Sequence, residues 1–213
     1  MLKEMNLPNK LTCLRIVLVP IFVILMCLPD NLVAVKYVAL GIYVVASITD
    51  FLDGMISRKK GLVTNFGKIM DPLADKLLVS AGFIMLTGAG IIPAWITFIV
   101  VFRDFFVNAL RMFAVDSGED VSAGLSGKIK TIFQMIGIVL GLVAFAVGFE
   151  YKAFADFVTS SSIMNFAELF VNVFMTVSIA AAAIAAIWSM VDYIFKFKKY
   201  IDEGNKLKGK VKI

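Results

Sequence analysis

Apolar residues along the chain fall into six blocks, separated by short clusters of turn-forming or charged residues. The first covers residues 11–28 and stops at Pro29-Asp30-Asn31; the second covers 32–57; the third, 66–86, ends at Thr87-Gly88-Ala89-Gly90. The fourth, 93–115, opens on Pro93, a residue suited to a first helical turn, where its missing N–H would have no partner. The fifth covers 128–149 and the sixth 168–195. Each block is close to the roughly 20 apolar residues that cross a bilayer as a helix. The pattern predicts an all-α integral membrane protein of six transmembrane helices, folded as a single membrane domain over residues 1–213. Leu2, Met5 and Leu7 alternate with polar residues at the start, so residues 1–10 are expected to form a short N-terminal interfacial arm. No cleavage-site pattern follows the first block, which is therefore read as a retained span. There is no internal repeat, low-complexity tract or soluble domain boundary.

Composition agrees with that reading and narrows it. Of 213 residues 60% are hydrophobic and the mean hydropathy is +0.90, against roughly 45–50% apolar residues in soluble domains. Six spans place both termini on one side, and that side holds 19 of the 21 Lys and Arg residues, leaving only Lys36 and Lys152 opposite. Cytoplasmic loops carry such an excess, so both termini are expected in the cytoplasm. Seven of the basic residues lie between Lys196 and Lys212, and residues 196–213 read as a basic cytoplasmic tail facing anionic lipid, not nucleic acid. The chain contains no histidine, which removes Ser-His-Asp and Cys-His catalysis and His-ligated zinc. Cys13 and Cys27 are about 21 Å apart along a helix, beyond the roughly 7 Å reach of a disulfide.

The unusual chemistry is a set of carboxylates where lipid-facing residues would be expected. Asp50 and Asp53 end the second block, three residues apart, and Asp71 and Asp75 open the third, four apart. Each pair shares one helix face, and a loop of about eight residues brings the pairs to one membrane depth. Such acids repel one another unless cations lie between them, and all-oxygen donors select hard ions such as Mg²⁺, Mn²⁺ or Ca²⁺. Arg58 adds a fixed charge suited to phosphate oxygens, while Gly54 and Gly67 let a ligand approach the backbone. The alternatives are acids that cap helices or pair with Lys59, Lys60, Lys68 and Lys76, and a cation-transport site. Against transport, the cluster sits at one surface with no matching acids deep in the later blocks.

The residues Asp50-x-x-Asp53-Gly54-x-x-Ser57-Arg58, then Gly67, Asp71 and Asp75, resemble the signature D-x-x-D-G-x-x-A-R-x8-G-x3-D-x3-D of the CDP-alcohol phosphatidyltransferases. Seven of its eight fixed positions match at the correct spacing, with Ser57 replacing Ala. Further likeness, to bacterial members that use glycerol 3-phosphate, lies in Pro8-Asn9-Lys10-Leu11-Thr12-x-x-Arg15, in Arg103-Asp104 with Leu110-Arg111, and in Gly127-Lys128-Ile129-Lys130-Thr131 with Gln134. The more usual Arg-Glu of that group is Arg-Asp here. The likeness extends to about residue 145 and weakens over the last block and tail.

The resemblance implies a metal-dependent transferase of the bacterial inner membrane, with its site facing the cytoplasm. It would move the phosphatidyl group of CDP-diacylglycerol to glycerol 3-phosphate in phospholipid synthesis, releasing CMP. It also implies two divalent cations (Mg²⁺ or Mn²⁺) per subunit on Asp50, Asp53, Asp71 and Asp75, and a homodimer. Gly54, Ser57, Arg58 and Gly67, with Asp50 and Asp53, would line the CDP site. Asp75 would be the general base; spacing alone does not separate it from Asp71. Arg103, Arg111, Lys128, Lys130 and Thr131 form a second set, expected at the cytoplasmic parts of the fourth and fifth blocks. There an anion or an internal ion pair, such as Arg103 with Asp104, must offset them, and the resemblance makes that anion the acceptor phosphate. Asn9, Thr12 and Arg15 are either substrate contacts or, for Asn9 and Thr12, helix caps. Phe102, Phe105, Phe106 and Phe113 read as lipid-facing or packing surface. Ala180–Ala183 with Ala185 and Ala186 read as a close-packing seam, within one subunit or between two. Serine, an inositol phosphate or phosphatidylglycerol remain alternative acceptors.

Overall fold

A computed structural model describes residues 7–29, 32–60, 65–116, 125–148 and 166–210, and every element among them is a helix. These are α1 (Leu7–Met26), α2 (Val33–Lys60), α3 (Asn65–Gly88), α4 (Ala94–Asp116), α5 (Leu125–Val147) and α6 (Phe166–Lys210). They correspond one to one with the six apolar blocks. Four of them, α1, α2, α5 and α6, are long and apolar enough to cross a membrane. Helices α3 and α4 have the length, at 24 and 23 residues, but no 18-residue stretch of either holds fewer than three charged residues. Asp71 and Asp75 on α3 and Arg103 and Arg111 on α4 are among those charges, so candidate site residues are what lower the hydropathy.

Helix ends run past block ends because a helix continues while its backbone hydrogen bonds continue, whatever its hydropathy. Thus α2 reaches Lys60 and α3 starts at Asn65, leaving a shorter connection than the eight residues expected. Residues 7–10 belong to the first turn of α1, and residues 1–6 lie outside the described residues. In α6 the apolar stretch Phe166–Phe195 is followed by helix as far as Lys210, about 22 Å of basic helix at 1.5 Å per residue. Lys152 lies outside the described residues.

The α3–α4 turn shows how one junction is set. Gly90 adopts a φ of 76°, which costs glycine little because it has no Cβ. The Ile91 amide donates to the Leu86 carbonyl at 2.9 Å, and the Pro93 carbonyl accepts the Ile96 amide at 3.0 Å as α4 begins. A 2.6 Å hydrogen bond between the Thr87 and Thr97 hydroxyls ties the two helices.

Helix α3 is central, packing on α1, α2, α4 and α5; α1 also packs on α2, α2 on α5, and α6 on α4 and α5. The core joins Phe22, Tyr43, Leu78, Phe83, Leu86, Val100, Ile138, Leu142 and Met175. The Phe22 and Tyr43 rings lie 5.2 Å apart, tilted by 56°, a favoured aromatic arrangement. Large apolar side chains such as Ile24, Ile84, Trp95, Phe98, Ile184 and Trp188 point outward, as a lipid-facing surface requires. Phe102 and Phe105 share that outer face, and the Phe98, Phe102 and Phe106 rings stack at 5.7 and 5.6 Å; the Phe113 side chain lies outside the described residues. Of the small-residue seam of α6, Ala182, Ala183 and Ala186 are buried within the chain, Ala181 and Ala185 are half-buried and Ala180 is exposed. Both cysteines are free.

Gly82 shows how closely the helices approach. A Cβ there would meet Ile138 Cγ2 at 2.7 Å and the Tyr43 ring at 3.0–3.1 Å, both stiff neighbours, whereas one at Gly41 would meet nothing within 4 Å. Gly82→Leu should therefore destabilise by the 1–3 kcal/mol typical of overpacking, roughly, and Gly41→Ala should leave stability nearly unchanged. Thermal unfolding of the full chain in detergent reads the difference.

Candidate active site

The first turns of α1 bring two carboxylates of neighbouring helices to one place. Asn9, Thr12 and Arg15 follow one another at three-residue spacing and all three are buried, Thr12 and Arg15 completely. Asn9 lies in the first turn of α1, which begins at Leu7, and Thr12 in the next. The Thr12 hydroxyl donates to Asp71 Oδ1 on α3 at 2.6 Å. Arg15 Nη1 lies 2.7 Å from Asp50 Oδ1 on α2. One helix face thus holds an acid from each of the two helices that carry the sequence pattern. Asp75, one turn beyond Asp71, pairs with Lys76 at 2.5 Å, which is the lysine-pairing alternative realised for this acid.

A second polar cluster is built deeper in the bundle from α4, α5 and α6. Asp104, 3% exposed, accepts from Arg103 Nη1 at 3.1 Å and from the Lys130 ammonium through Oδ1, and from Gln134 Nε2 at 3.3 Å through Oδ2. Arg103 Nη2 also donates to the Ser189 hydroxyl of α6. Lys130 is 1% exposed, and Thr131 beside it is half-buried. The internal ion pair of Arg103 with Asp104 is therefore present. The same carboxylate also takes Lys130 as a partner.

The two clusters are neighbours. Tyr43 is within electrostatic reach of both Asp75 and Asp50, and Lys130 is within reach of Asp75 and Lys76. Asp75 is thus the acid of the sequence pattern whose field reaches Lys130. Asp53, Ser57 and Arg58 sit on α2, Arg111 on α4 and Lys128 on α5, with their side chains outside the described residues; so is the surround of Gly54 and Gly67. Among the described residues no three metal-ligating side chains converge on one point, since Asp50 and Asp71 face Arg15 and Thr12. The aspartates of the pattern offer carboxylate oxygen, which fits Mg²⁺ or Mn²⁺. Ser189 was not visible as a site residue: it lies in an alanine-rich apolar stretch, and only its burial beside Arg103 marks it.

A helical membrane bundle with paired carboxylates at the α2–α3 junction and cations behind them matches a known family. The CDP-alcohol phosphatidyltransferase family model covers residues 5–177, and the chain belongs to that family of enzymes. A Bacillus subtilis protein named CDP-diacylglycerol–glycerol-3-phosphate 3-phosphatidyltransferase is 46% identical over 143 residues, 62% of this chain and 74% of the relative. An Escherichia coli K12 protein of the same name is 30% identical over 196 residues, covering 90% and 94%. One from Rickettsia prowazekii is 42% identical over 135 residues, covering 63% and 74%.

The clamp is open to mutation. Removing one partner of a fully buried ion pair costs about 3–5 kcal/mol, and Asp50 keeps 30% side-chain exposure, so Arg15→Met should cost less than that. Transferase activity should fall at least about tenfold, because Asp50 loses the group that orients it. Thr12→Val deletes a single hydrogen bond, worth about 1 kcal/mol, and should be the milder change. Melting temperature and initial rate, measured on the same preparations, separate the two effects.

Proposed function

We propose that this protein transfers the phosphatidyl group of CDP-diacylglycerol to the 1-hydroxyl of sn-glycerol 3-phosphate, giving phosphatidylglycerophosphate and CMP. The observation that carries the reading is that α1 clamps Asp50 and Asp71, acids from the two helices of the aspartate pattern, while the same bundle buries Arg103 and Lys130 on Asp104. The shared activity name of the Bacillus, Escherichia and Rickettsia relatives supports the donor and the acceptor. The distribution of Lys and Arg supports a site on the cytoplasmic face of a bacterial cell membrane.

Each group has a task. The acyl chains stay in the bilayer while the pyrophosphate enters between α2 and α3, near Arg58 and the glycines of the pattern. The acceptor phosphate is held by Arg103 and Lys130, with Arg111, Lys128 and Thr131 around it, which turns its free hydroxyl toward Asp75. The Asp75 carboxylate takes the hydroxyl proton as the acceptor oxygen bonds to the phosphatidyl phosphorus. The bond from that phosphorus to the CMP oxygen breaks, and CMP leaves with the electron pair. Proximity supplies much of the acceleration, since a carboxylate is a weak base for an alcohol. Asp50, Asp53, Asp71 and Asp75 would hold the divalent cations, which when bound neutralise pyrophosphate charge and stabilise the leaving group.

Transfer of radiolabel from glycerol 3-phosphate into lipid tests the reading. Purified full-length protein, CDP-diacylglycerol and Mg²⁺ or Mn²⁺ should give labelled phosphatidylglycerophosphate matched by CMP, and chelation should stop it reversibly. CMP release only with serine, inositol or inositol phosphate would overturn the acceptor. Cation flux into vesicles without CMP release would overturn the transferase. Asp75→Asn should lower turnover by about 10²–10⁴-fold, the usual worth of a general base, while CDP-diacylglycerol binding persists. Loss of both together would make Asp75 chiefly a metal ligand.

A further inference from the structure

Asp104 lies outside the aspartate pattern, yet it is almost completely enclosed, at 3% exposure. It sits where α4, α5 and α6 meet, and its oxygens accept from Arg103, Lys130 and Gln134. Helix packing alone would be served by one cation on one carboxylate. Here two cations share it, and the Ser189 hydroxyl holds the far side of the guanidinium. A guanidinium and an ammonium this close repel one another unless an anion lies between them. With Asp104 in place they are held side by side, oriented by charge-assisted hydrogen bonds.

We propose that Asp104 is a positioning residue for the acceptor, holding Arg103 and Lys130 as a paired seat for a phosphate monoester. This rests on the acceptor-phosphate role given to those two residues above. A phosphate monoester offers acceptor oxygens to both side chains at once, and Asp104 fixes the spacing at which they meet it. An acceptor without phosphate gains nothing from the seat, so Asp104 also contributes to the choice of acceptor class. Its effect is confined to the acceptor, since the pyrophosphate of the donor is bound at the α2–α3 junction.

The test uses the full-length chain in lipid vesicles, as wild type, Asp104→Asn, Asp104→Glu and Ser189→Ala. CMP release is followed first against glycerol 3-phosphate at saturating CDP-diacylglycerol, then with the roles reversed. Asp104→Asn should raise the KM for glycerol 3-phosphate about tenfold or more and leave the KM for CDP-diacylglycerol within about twofold. Asp104→Glu, which restores the charge, should recover most of that loss. Ser189→Ala, which alters no charge, should raise the acceptor KM about threefold. A fall in kcat with both KM values unchanged, or a parallel rise in both, would overturn the proposal and leave Asp104 a structural tie. Should Asp104→Asn not fold, an unchanged acceptor KM in Ser189→Ala overturns it equally. Wild-type protein that releases no CMP with glycerol 3-phosphate would instead overturn the acceptor reading beneath it.

Discussion

An isolated charge inside a spanning helix costs several kcal/mol, and that penalty organises the whole interior of this bundle. Among the described residues, the carboxylates of Asp50, Asp71, Asp75 and Asp104 and the cations of Arg15, Lys76, Arg103 and Lys130 lie along largely apolar helices. Arg15 answers Asp50, Lys76 answers Asp75, and Lys130 and Arg103 answer Asp104. Asp71 is met by the Thr12 hydroxyl. Local pairing lets α3 and α4 be strongly charged and still pack inside the bundle. It also dictates which helices adjoin, because α1 must lie where it reaches both α2 and α3.

The same constraint links structure to chemistry. Side chains locked by buried ion pairs have little freedom to reorient, so the reacting groups need no reorganisation when substrate arrives. Helix α1 acts as a brace for the α2–α3 junction. Helix α6, through Ser189, braces the cation pair of α4 and α5. Close backbone approach at Gly82, where Tyr43 and Ile138 fill the space a side chain would take, keeps α2, α3 and α5 near enough for Asp75 and Lys130 to sense one another. The α1-clamped acids and the Asp104 cluster thereby belong to one helical bundle.

Much of this was legible in the sequence, and for identifiable reasons. The six helices follow from hydropathy, and the aspartate spacing puts Asp50 near the end of α2 and Asp71 and Asp75 near the start of α3, where α1 meets Asp50 and Asp71. What pattern alone left open was contact between distant residues. Thr12 read equally as a helix cap or a substrate contact, and Arg15 as a substrate contact, because nothing local says that α1 lies against α2 and α3. Arg103 had two available partners in principle, an internal acid or an anion. The structure shows that Asp104 is engaged already and by two cations. Ser189 carries no signal in a run of alanines, since a lone hydroxyl in a spanning helix ordinarily bonds its own backbone. The tail from residue 196 onward shows the other limit, because charge composition reads as solvent or lipid contact and says little about helix continuation.

The central claim is that the carboxylates of α2 and α3 form one divalent-cation site braced by α1. Binding of Mn²⁺ to the full-length protein in detergent, followed by the loss of the free-ion paramagnetic resonance signal, tests it directly. Saturable binding is expected, weakened at least about tenfold in Asp71→Asn, weakened less in Thr12→Val, and unchanged in Asp104→Asn. Equal Mn²⁺ affinity in the wild type and in each of the Asp50, Asp53, Asp71 and Asp75 to Asn variants would contradict it.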